Sequence, residues 1–166
     1  MGQISSDIKK LFLNKWHYEP YYKTVYFLGG DMSGPFKGVR VLELTSTVSG
    51  PFAGMMLADQ GAEVIKIEPP GIGDLARFMG TIKDGMGAMF STLNRNKKCI
   101  CLDFKNEQDL SILMELVSTA DVLIENYRPG IVKKLGIDYE TLKKIKPDLI
   151  YCSISGYGQS GPYKEK

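Results

Sequence analysis

Asn126, Tyr127 and Arg128 stand side by side in the stretch ENYRPG. Their side chains supply an amide for hydrogen bonding, a ring for stacking and a guanidinium that binds phosphate with two parallel hydrogen bonds. Lys133 and Lys134 follow on the next turn of a predicted helix. These residue types indicate a site for a phosphorylated ligand, although a solvated basic surface has the same composition.

A second candidate site lies in the stretch 45–68, whose predicted order is strand, tight turn, helix, strand and acid. This order is typical of a nucleotide-binding domain, but the turn lacks the G-x-G-x-x-G that a dinucleotide requires. Pro51 has no N–H to offer, and the bulky Phe52 stands where a phosphate would have to approach closely. Glu68 stands where an acid binds ribose in such folds, but an acid at a strand end is more often simply solvated. We predict that the small residues of the helix serve packing on the sheet; they are Gly50, Ala53, Gly54, Ala58 and Gly61.

A true G-x-G-x-x-G occurs at 156–161, directly after a predicted strand. Pro162 follows at once, so no helix opens there to supply N–H groups and a dipole. We interpret the segment as a loop.

Metal and triad chemistry are not expected from this chain. Its only histidine, His17, has no histidine or cysteine nearby to complete a zinc site or a Ser-His-Asp triad. The cysteines at 99, 101 and 152 form no C-x-x-C motif, which favours buried thiols in a reducing compartment.

Composition points to one soluble domain. The 166 residues are 43% hydrophobic and 24% charged, and the net charge of +2 favours neither nucleic acid nor a membrane surface. No apolar run is long enough to span a membrane, and we expect a cytoplasmic protein. The opening MGQISS matches a short myristoylation pattern that often occurs by chance. We expect residues 1–33 to be an extension with a short amphipathic helix. It is interpreted as an appendage that packs on the domain or as the product of a start codon upstream of an ancestral start at Met32; the alternative is an anchor for a partner or a membrane surface.

The elements that position these residues follow from the alternation of short apolar runs with helical segments. Strands are predicted near 39–44, 63–67, 99–103, 122–126 and 149–154. Helices are predicted after Ser49 or Gly50, through 86–94, from 106 to 117, from 129 to 136 and at 141–146. This spacing indicates βαβ units, and hence an α/β fold with a Rossmann-like, mostly parallel sheet and helices on both faces. Ligands bind such sheets at the carboxyl ends of the strands.

Six ordered motifs carry a resemblance to a known family. They are GVRVLEL, SGPFAGMMLADQGAEVIKIEPPGIGD, NRNKK followed by LD, ADVLIENYRPG, LGIDYE and the closing LIYCSISGYGQSGPY. From about Gly34 to Tyr163 the chain resembles class III CoA-transferases, a family that also has α-methylacyl-CoA racemases as relatives. The resemblance implies that residues 34–166 form a Rossmann-like domain that binds coenzyme A as a substrate, with no prosthetic group.

The resemblance also implies which residues contact CoA. Val48 and Ser49 match the turn beside the first helix, and the stretch Leu102, Asp103, Phe104 and Lys105 matches the segment along adenosine. Asn126, Tyr127 and Arg128 match the loop along pantetheine and the phosphates, and Lys134 matches a phosphate-binding cation. Pro69 departs from the pattern, because several relatives have an arginine there beside adenine.

The resemblance implies a catalytic aspartate that forms an aspartyl-CoA intermediate, and no aspartate of this chain matches it. We therefore assign no catalytic residue and expect the chain to be the N-terminal part of the large domain, with an incomplete C-terminus. Full-length relatives form interlocked homodimers that act on acyl-CoA and a carboxylic acid. NRNKK and ENYRPG favour a transferase over a racemase, and a non-catalytic CoA-binding or structural remnant is the third alternative.

Overall fold

A five-stranded parallel sheet forms the centre of the computed structural model, which describes residues 33–166. The strands lie in the order β5-β2-β1-β6-β7, and all four neighbouring pairs are parallel. Their bounds are β1 Arg40–Leu44, β2 Glu63–Glu68, β5 Lys97–Cys101, β6 Val122–Glu125 and β7 Ile150–Ser153. The predicted α/β fold and parallel sheet are confirmed, with β5 beginning two residues earlier than predicted.

Helices cover both faces of the sheet. They are α1 Ser49–Asp59, α2 Ala88–Leu93, α3 Glu107–Ser118, α4 Ile131–Lys134 and α5 Tyr139–Leu142, with a 3-10 helix at Leu75–Phe78. A small antiparallel hairpin of β3 Ile82–Lys83 and β4 Met86–Gly87 precedes α2 and was not predicted. The helix predicted at 141–146 instead begins at Tyr139, directly after Asp138, whose carboxylate accepts a hydrogen bond from the Thr141 hydroxyl.

Two apolar cores flank the sheet because alternate strand residues point to opposite faces. On the face covered by α3, Leu42, Ile65 and Leu123 occupy one row and pack with Leu113 and Leu116. On the α1 face, a smaller core contains Val41, Ala58, Ala62, Val64 and Ile124.

The ends of the helices follow from their sequence. The Asn106 side chain accepts hydrogen bonds from the N–H groups of Gln108 and Asp109 and caps α3, which begins close to the predicted residue 106. Gly61 follows α1 with a φ of 97°, the left-handed conformation that glycine commonly adopts where a helix ends. The predicted cap of α1 at Ser49 or Gly50 is wrong, since the capping position is Val48 and no side chain caps the helix there.

Glycines let α1 lie against the sheet. A Cβ at Gly50 would lie 2.3 Å from Cβ of Thr45, and one at Gly54 would lie 2.0 Å from Oε2 of Glu43. The predicted packing role of both glycines is confirmed. Phe52 and Met56 lie on the exposed side of α1.

The structure contradicts the prediction of buried thiols at two positions, and it does not cover the predictions for the start of the chain. Burial is wrong for Cys101 and Cys152, which are exposed because they lie on the edge strands β5 and β7. The myristoylation pattern and the amphipathic helix of the extension lie outside the described residues. Within residues 33–166, no helix is long and apolar enough to cross a membrane, and no group of three metal-ligating side chains occurs.

Gly54→Ala tests the contact between α1 and the sheet. In an unobstructed helix this change would stabilise the protein by about 1 kcal/mol through helix propensity. Here we expect it to lower the free energy of unfolding by about 1–3 kcal/mol, because the added methyl displaces the Glu43 carboxylate. Urea unfolding measures the change.

Gly156→Ala is the matched control, since a Cβ at Gly156 has no atom within 4 Å. Its free energy of unfolding should stay close to that of the parent. A Gly54→Ala variant more stable than the parent would show that α1 does not need the close approach.

Candidate functional site

The carboxyl edge of the sheet brings the turns after β1 and β6 together, because these strands are neighbours. The Asn126 amide oxygen accepts a hydrogen bond from the Ser46 N–H at 3.0 Å, and its Nδ2 donates to the Ser46 carbonyl at 2.8 Å. This reciprocal pair fixes the β1–α1 turn, residues 45–48, against the loop that carries Tyr127 and Arg128.

Asp74 fastens the same turn from the other side. Its Oδ1 accepts hydrogen bonds from the Thr47 N–H at 2.8 Å and the Ser46 hydroxyl at 3.0 Å. Its Oδ2 lies 2.8 Å from Nζ of Lys66, and both side chains are fully buried. Burial alone disfavours the charge of Asp74, but Lys66 and the N–H groups of Ala76 and Thr47 more than offset it, so the pKa of Asp74 is lowered.

A buried charge network lies beneath α1 and consists of Glu43, Lys66, Asp74 and Lys97. Glu43 joins the two lysines, with Oε1 at 3.0 Å from Lys66 and Oε2 at 2.7 Å from Lys97. Burial disfavours a charged Lys66, but Glu43 and Asp74 outweigh it and raise the Lys66 pKa. For Lys97 burial prevails over Glu43, and its pKa is lowered.

Glu68 is neither solvated nor free for a ribose. It is buried, and its carboxylate accepts two hydrogen bonds from Arg77 at 2.7 and 2.8 Å and one from the Asp74 N–H at 2.8 Å. Through these hydrogen bonds Glu68 orders the segment that carries Asp74.

Glu68 also affects a neighbouring thiol. Burial and the nearby Glu68 carboxylate raise the pKa of the Cys99 thiol to about 12, so this thiol stays protonated at neutral pH.

The loop after β6 is held from below by a buried carboxylate. Glu125 accepts a hydrogen bond from the Tyr127 N–H at 2.8 Å and another from the Ser153 hydroxyl. The Tyr127 ring packs on the core of the α3 face, and burial together with Glu125 raises its phenol pKa. Arg128 is exposed at the tip of this loop.

The predicted CoA-contact residues differ in what they present to solvent. Val48 and Ser49 are exposed at the start of α1, and Lys105 and Lys134 are exposed as well. Asp103, Phe104, Asn126 and Tyr127 are partly buried, while the Leu102 side chain is buried in the core. Through its side chain Leu102 offers nothing to a ligand.

The stretch 102–105 follows β5, which is separated from β1 by β2. The Leu102 N–H donates to the Glu68 carbonyl at 3.0 Å, and Asp103 accepts from the Lys105 N–H at 3.0 Å. The stretch therefore lies at the carboxyl edge of the sheet, next to β2 and away from the turns after β1 and β6. The structure joins Ser46, in the turn that leads to Val48 and Ser49, to Asn126 of the third predicted segment, and places the second segment along the same edge.

Comparison with known proteins agrees with this architecture. Residues 36–166 match the model of CoA-transferase family III. The chain belongs to this family. It is 50% identical over 129 residues to the acetyl-CoA:oxalate CoA-transferase of Acetobacter aceti, an overlap that covers 78% of this chain and 33% of that enzyme.

Two further comparisons extend the result. The succinyl-CoA:glutarate CoA-transferase of Mus musculus is 46% identical over 137 residues, which covers 82% of this chain and 31% of the mouse protein. The crystal structure of a CAIB/BAIF family protein from Brucella suis shares 44% sequence identity with a TM-score of 0.76, covering 81% of this chain and 36% of that one. The chain thus spans about a third of the length of these relatives.

The buried network that supports the β1–α1 turn was missed by the sequence analysis. A signal was present, because central parallel strands are buried on both faces and read as nearly continuous apolar runs. Glu43 and Lys66 interrupt two such strands, and a buried charge must be paired. Asp74, in the loop GIGD, could not be identified as their partner without the fold.

Asp74→Asn tests the charge at this site. We expect the free energy of unfolding to fall by about 1–3 kcal/mol at neutral pH, since Lys66 loses a buried ionic partner. The folded-state pKa of Asp74 lies below its ordinary 3.8. Its contribution is therefore complete above about pH 4 and is lost as the pH falls through the lowered value.

The free energies of unfolding of the parent and of Asp74→Asn should therefore approach each other at low pH. Urea unfolding of both proteins, repeated from neutral pH to about pH 2, measures this change. Asp84→Asn, in the exposed turn of the β3–β4 hairpin, is the matched control and should differ little from the parent. A stability difference between the parent and Asp74→Asn that is constant across this range would contradict the assignment.

Proposed function

We propose that this chain forms the CoA-binding part of an enzyme that moves CoA between an acyl-CoA and a carboxylic acid. Membership of CoA-transferase family III supports the reaction class. The single observation that supports the site is the reciprocal hydrogen-bond pair between Ser46 and Asn126, which joins two of the segments expected to contact CoA.

The exposed cations support phosphate binding. CoA carries a pyrophosphate and a 3′-phosphate, and charge-assisted hydrogen bonds from basic side chains suit both groups. Arg128 and Lys134 form no ion pair with any carboxylate among residues 33–166. Nearby, Lys143 pairs with Glu140 and Lys146 pairs with Asp148. Arg128 and Lys134 thus differ from Lys143 and Lys146 and are available to a ligand, although Lys133 and Lys144 are also exposed without an ion pair in the described part of the chain.

The complete reaction requires more chain than residues 33–166. By resemblance, an aspartate after Lys166 forms a mixed anhydride with the acyl group as the CoA thiolate leaves; the thiolate then displaces the carboxylate and gives an aspartyl-CoA thioester. We extend the proposal to a cytoplasmic, interlocked homodimer. The relatives from Acetobacter aceti and Mus musculus support transfer over racemisation, because both are named as CoA-transferases.

Lys134→Ala and Arg128→Ala test the phosphate contacts. A hydrogen bond between a charged donor and a phosphate contributes about 1.5–3 kcal/mol, so each change should weaken CoA binding about tenfold or more. Calorimetric titration of CoA into the protein measures the dissociation constants.

Lys143→Ala is the control, because this exposed lysine is paired with Glu140 and is not assigned to the site. It should change the affinity by a factor of about two or less. If all three variants bind CoA like the parent, the phosphate assignment is wrong.

Residues 1–166, purified without further chain, should exchange no CoA between an acyl-CoA and an isotope-labelled carboxylic acid. The physical reason is that covalent transfer requires the nucleophilic carboxylate, and none of the aspartates present matches the family's. Product formation above the rate without protein, from a sample of verified mass, would refute this.

A further inference from the structure

Asp74 has three hydrogen-bond donors and one ammonium group around its carboxylate. Oδ1 accepts from the Thr47 N–H at 2.8 Å, the Ser46 hydroxyl at 3.0 Å and the Ala76 N–H at 2.9 Å. Oδ2 faces Nζ of Lys66 at 2.8 Å, and Asp74 is 1% exposed. Two of its four partners thus belong to the β1–α1 turn.

The turn is held in a conformation that its sequence disfavours. Thr47 has a φ of 76°, in the left-handed region. Asp84 and Asn96 also have positive φ among the described non-glycine residues, but their types adopt it readily. Thr47 is β-branched, and for such a residue this conformation persists only where the surroundings impose it. In this conformation the Thr47 N–H donates to Asp74 at 2.8 Å, and the Thr47 hydroxyl lies 3.3 Å from the Ser46 hydroxyl.

The conformation of Thr47 sets the direction in which the chain enters α1. Val48 and Ser49 follow immediately and are exposed, and no side chain caps the helix. The orientation of their backbone groups therefore depends on the turn before them. Ser46, the second residue bound by Asp74, is also the residue that pairs with Asn126.

We infer that Asp74 is a positioning residue for CoA: it holds Thr47 in the left-handed conformation and so fixes Val48 and Ser49 where the ligand contacts them. This inference rests on the proposed function, because it takes the β1–α1 turn as part of the CoA site. Asp74 itself is buried under the turn and does not touch the ligand. A purely structural acid would stabilise the protein without influencing CoA affinity.

Three variants separate positioning from stability. Asp74→Ala removes the hydrogen-bond acceptor for Thr47 and Ser46, whereas Asp74→Asn keeps an oxygen in that place and replaces the charged acceptor toward Lys66 with an NH2 group. Val117→Ala, in the core on the opposite face, destabilises the protein without touching the turn. Each variant is examined by calorimetric titration with CoA, by urea unfolding and by amide hydrogen exchange at Ser46 and Thr47 without ligand.

We expect Asp74→Ala to weaken CoA binding at least tenfold and to speed exchange of the Thr47 amide at least tenfold. Asp74→Asn should bind CoA within about threefold of the parent although it is less stable, and Val117→Ala should bind CoA like the parent. If Asp74→Ala does not fold, Ser46→Ala decides, with an expected loss of CoA affinity of about fivefold from the removal of one bond, which exceeds the change allowed for Asp74→Asn.

Unchanged exchange at Thr47 in Asp74→Ala would overturn the inference, as would unchanged CoA affinity in that variant. Equal losses of affinity in Asp74→Ala and Val117→Ala at matched stability would overturn it too, since they would show a general effect of destabilisation. If the parent itself does not bind CoA while exchange at Thr47 still responds to Asp74→Ala, the proposed function fails and the positioning of the turn stands.

Discussion

The buried ion pairs between Lys66 and the carboxylates of Glu43 and Asp74 constrain the position of α1 and the shape of the turn before it, at the carboxyl edge of the sheet. An unpaired charge in such a place would cost several kcal/mol, so these side chains must be present together. Glu43 occupies the space that Gly54 leaves open, which brings α1 close to the sheet. Asp74 holds the turn before α1. The position of the helix and the shape of the turn are thus consequences of one electrostatic requirement.

Much of the fold could be predicted because it depends on local patterns. Short apolar runs alternating with helical segments give the parallel sheet, and Asn106 and Gly61 mark helix ends through chemistry that acts within a few residues. The β3–β4 hairpin was missed because its two-residue strands show no periodicity. The exposed thiols were missed because sequence does not tell which strands lie at the edges of a sheet.

The site was less accessible to prediction. Lys134 has the same side chain as the lysines around it, and only the fold shows that Lys143 and Lys146 form ion pairs with carboxylates. The opposite holds for Leu102, whose place in a matching segment gives no sign that its side chain lies in the core. Asp74 lies six residues after the end of β2, and its partners are Lys66 within that strand and Ser46 and Thr47 in the turn after β1, so the pairing exists only in three dimensions.

The reciprocal pair between Ser46 and Asn126 has a consequence for the thermodynamics of recognition. Two loops that were independent in the free protein would each lose conformational entropy when a ligand ordered them, and that loss would weaken binding. Here the two amide hydrogen bonds and the Asp74 carboxylate order both loops before any ligand arrives. The edge of the sheet is therefore preorganised. A ligand that bridges the two loops does not have to order them, because their conformational entropy was already lost when the chain folded.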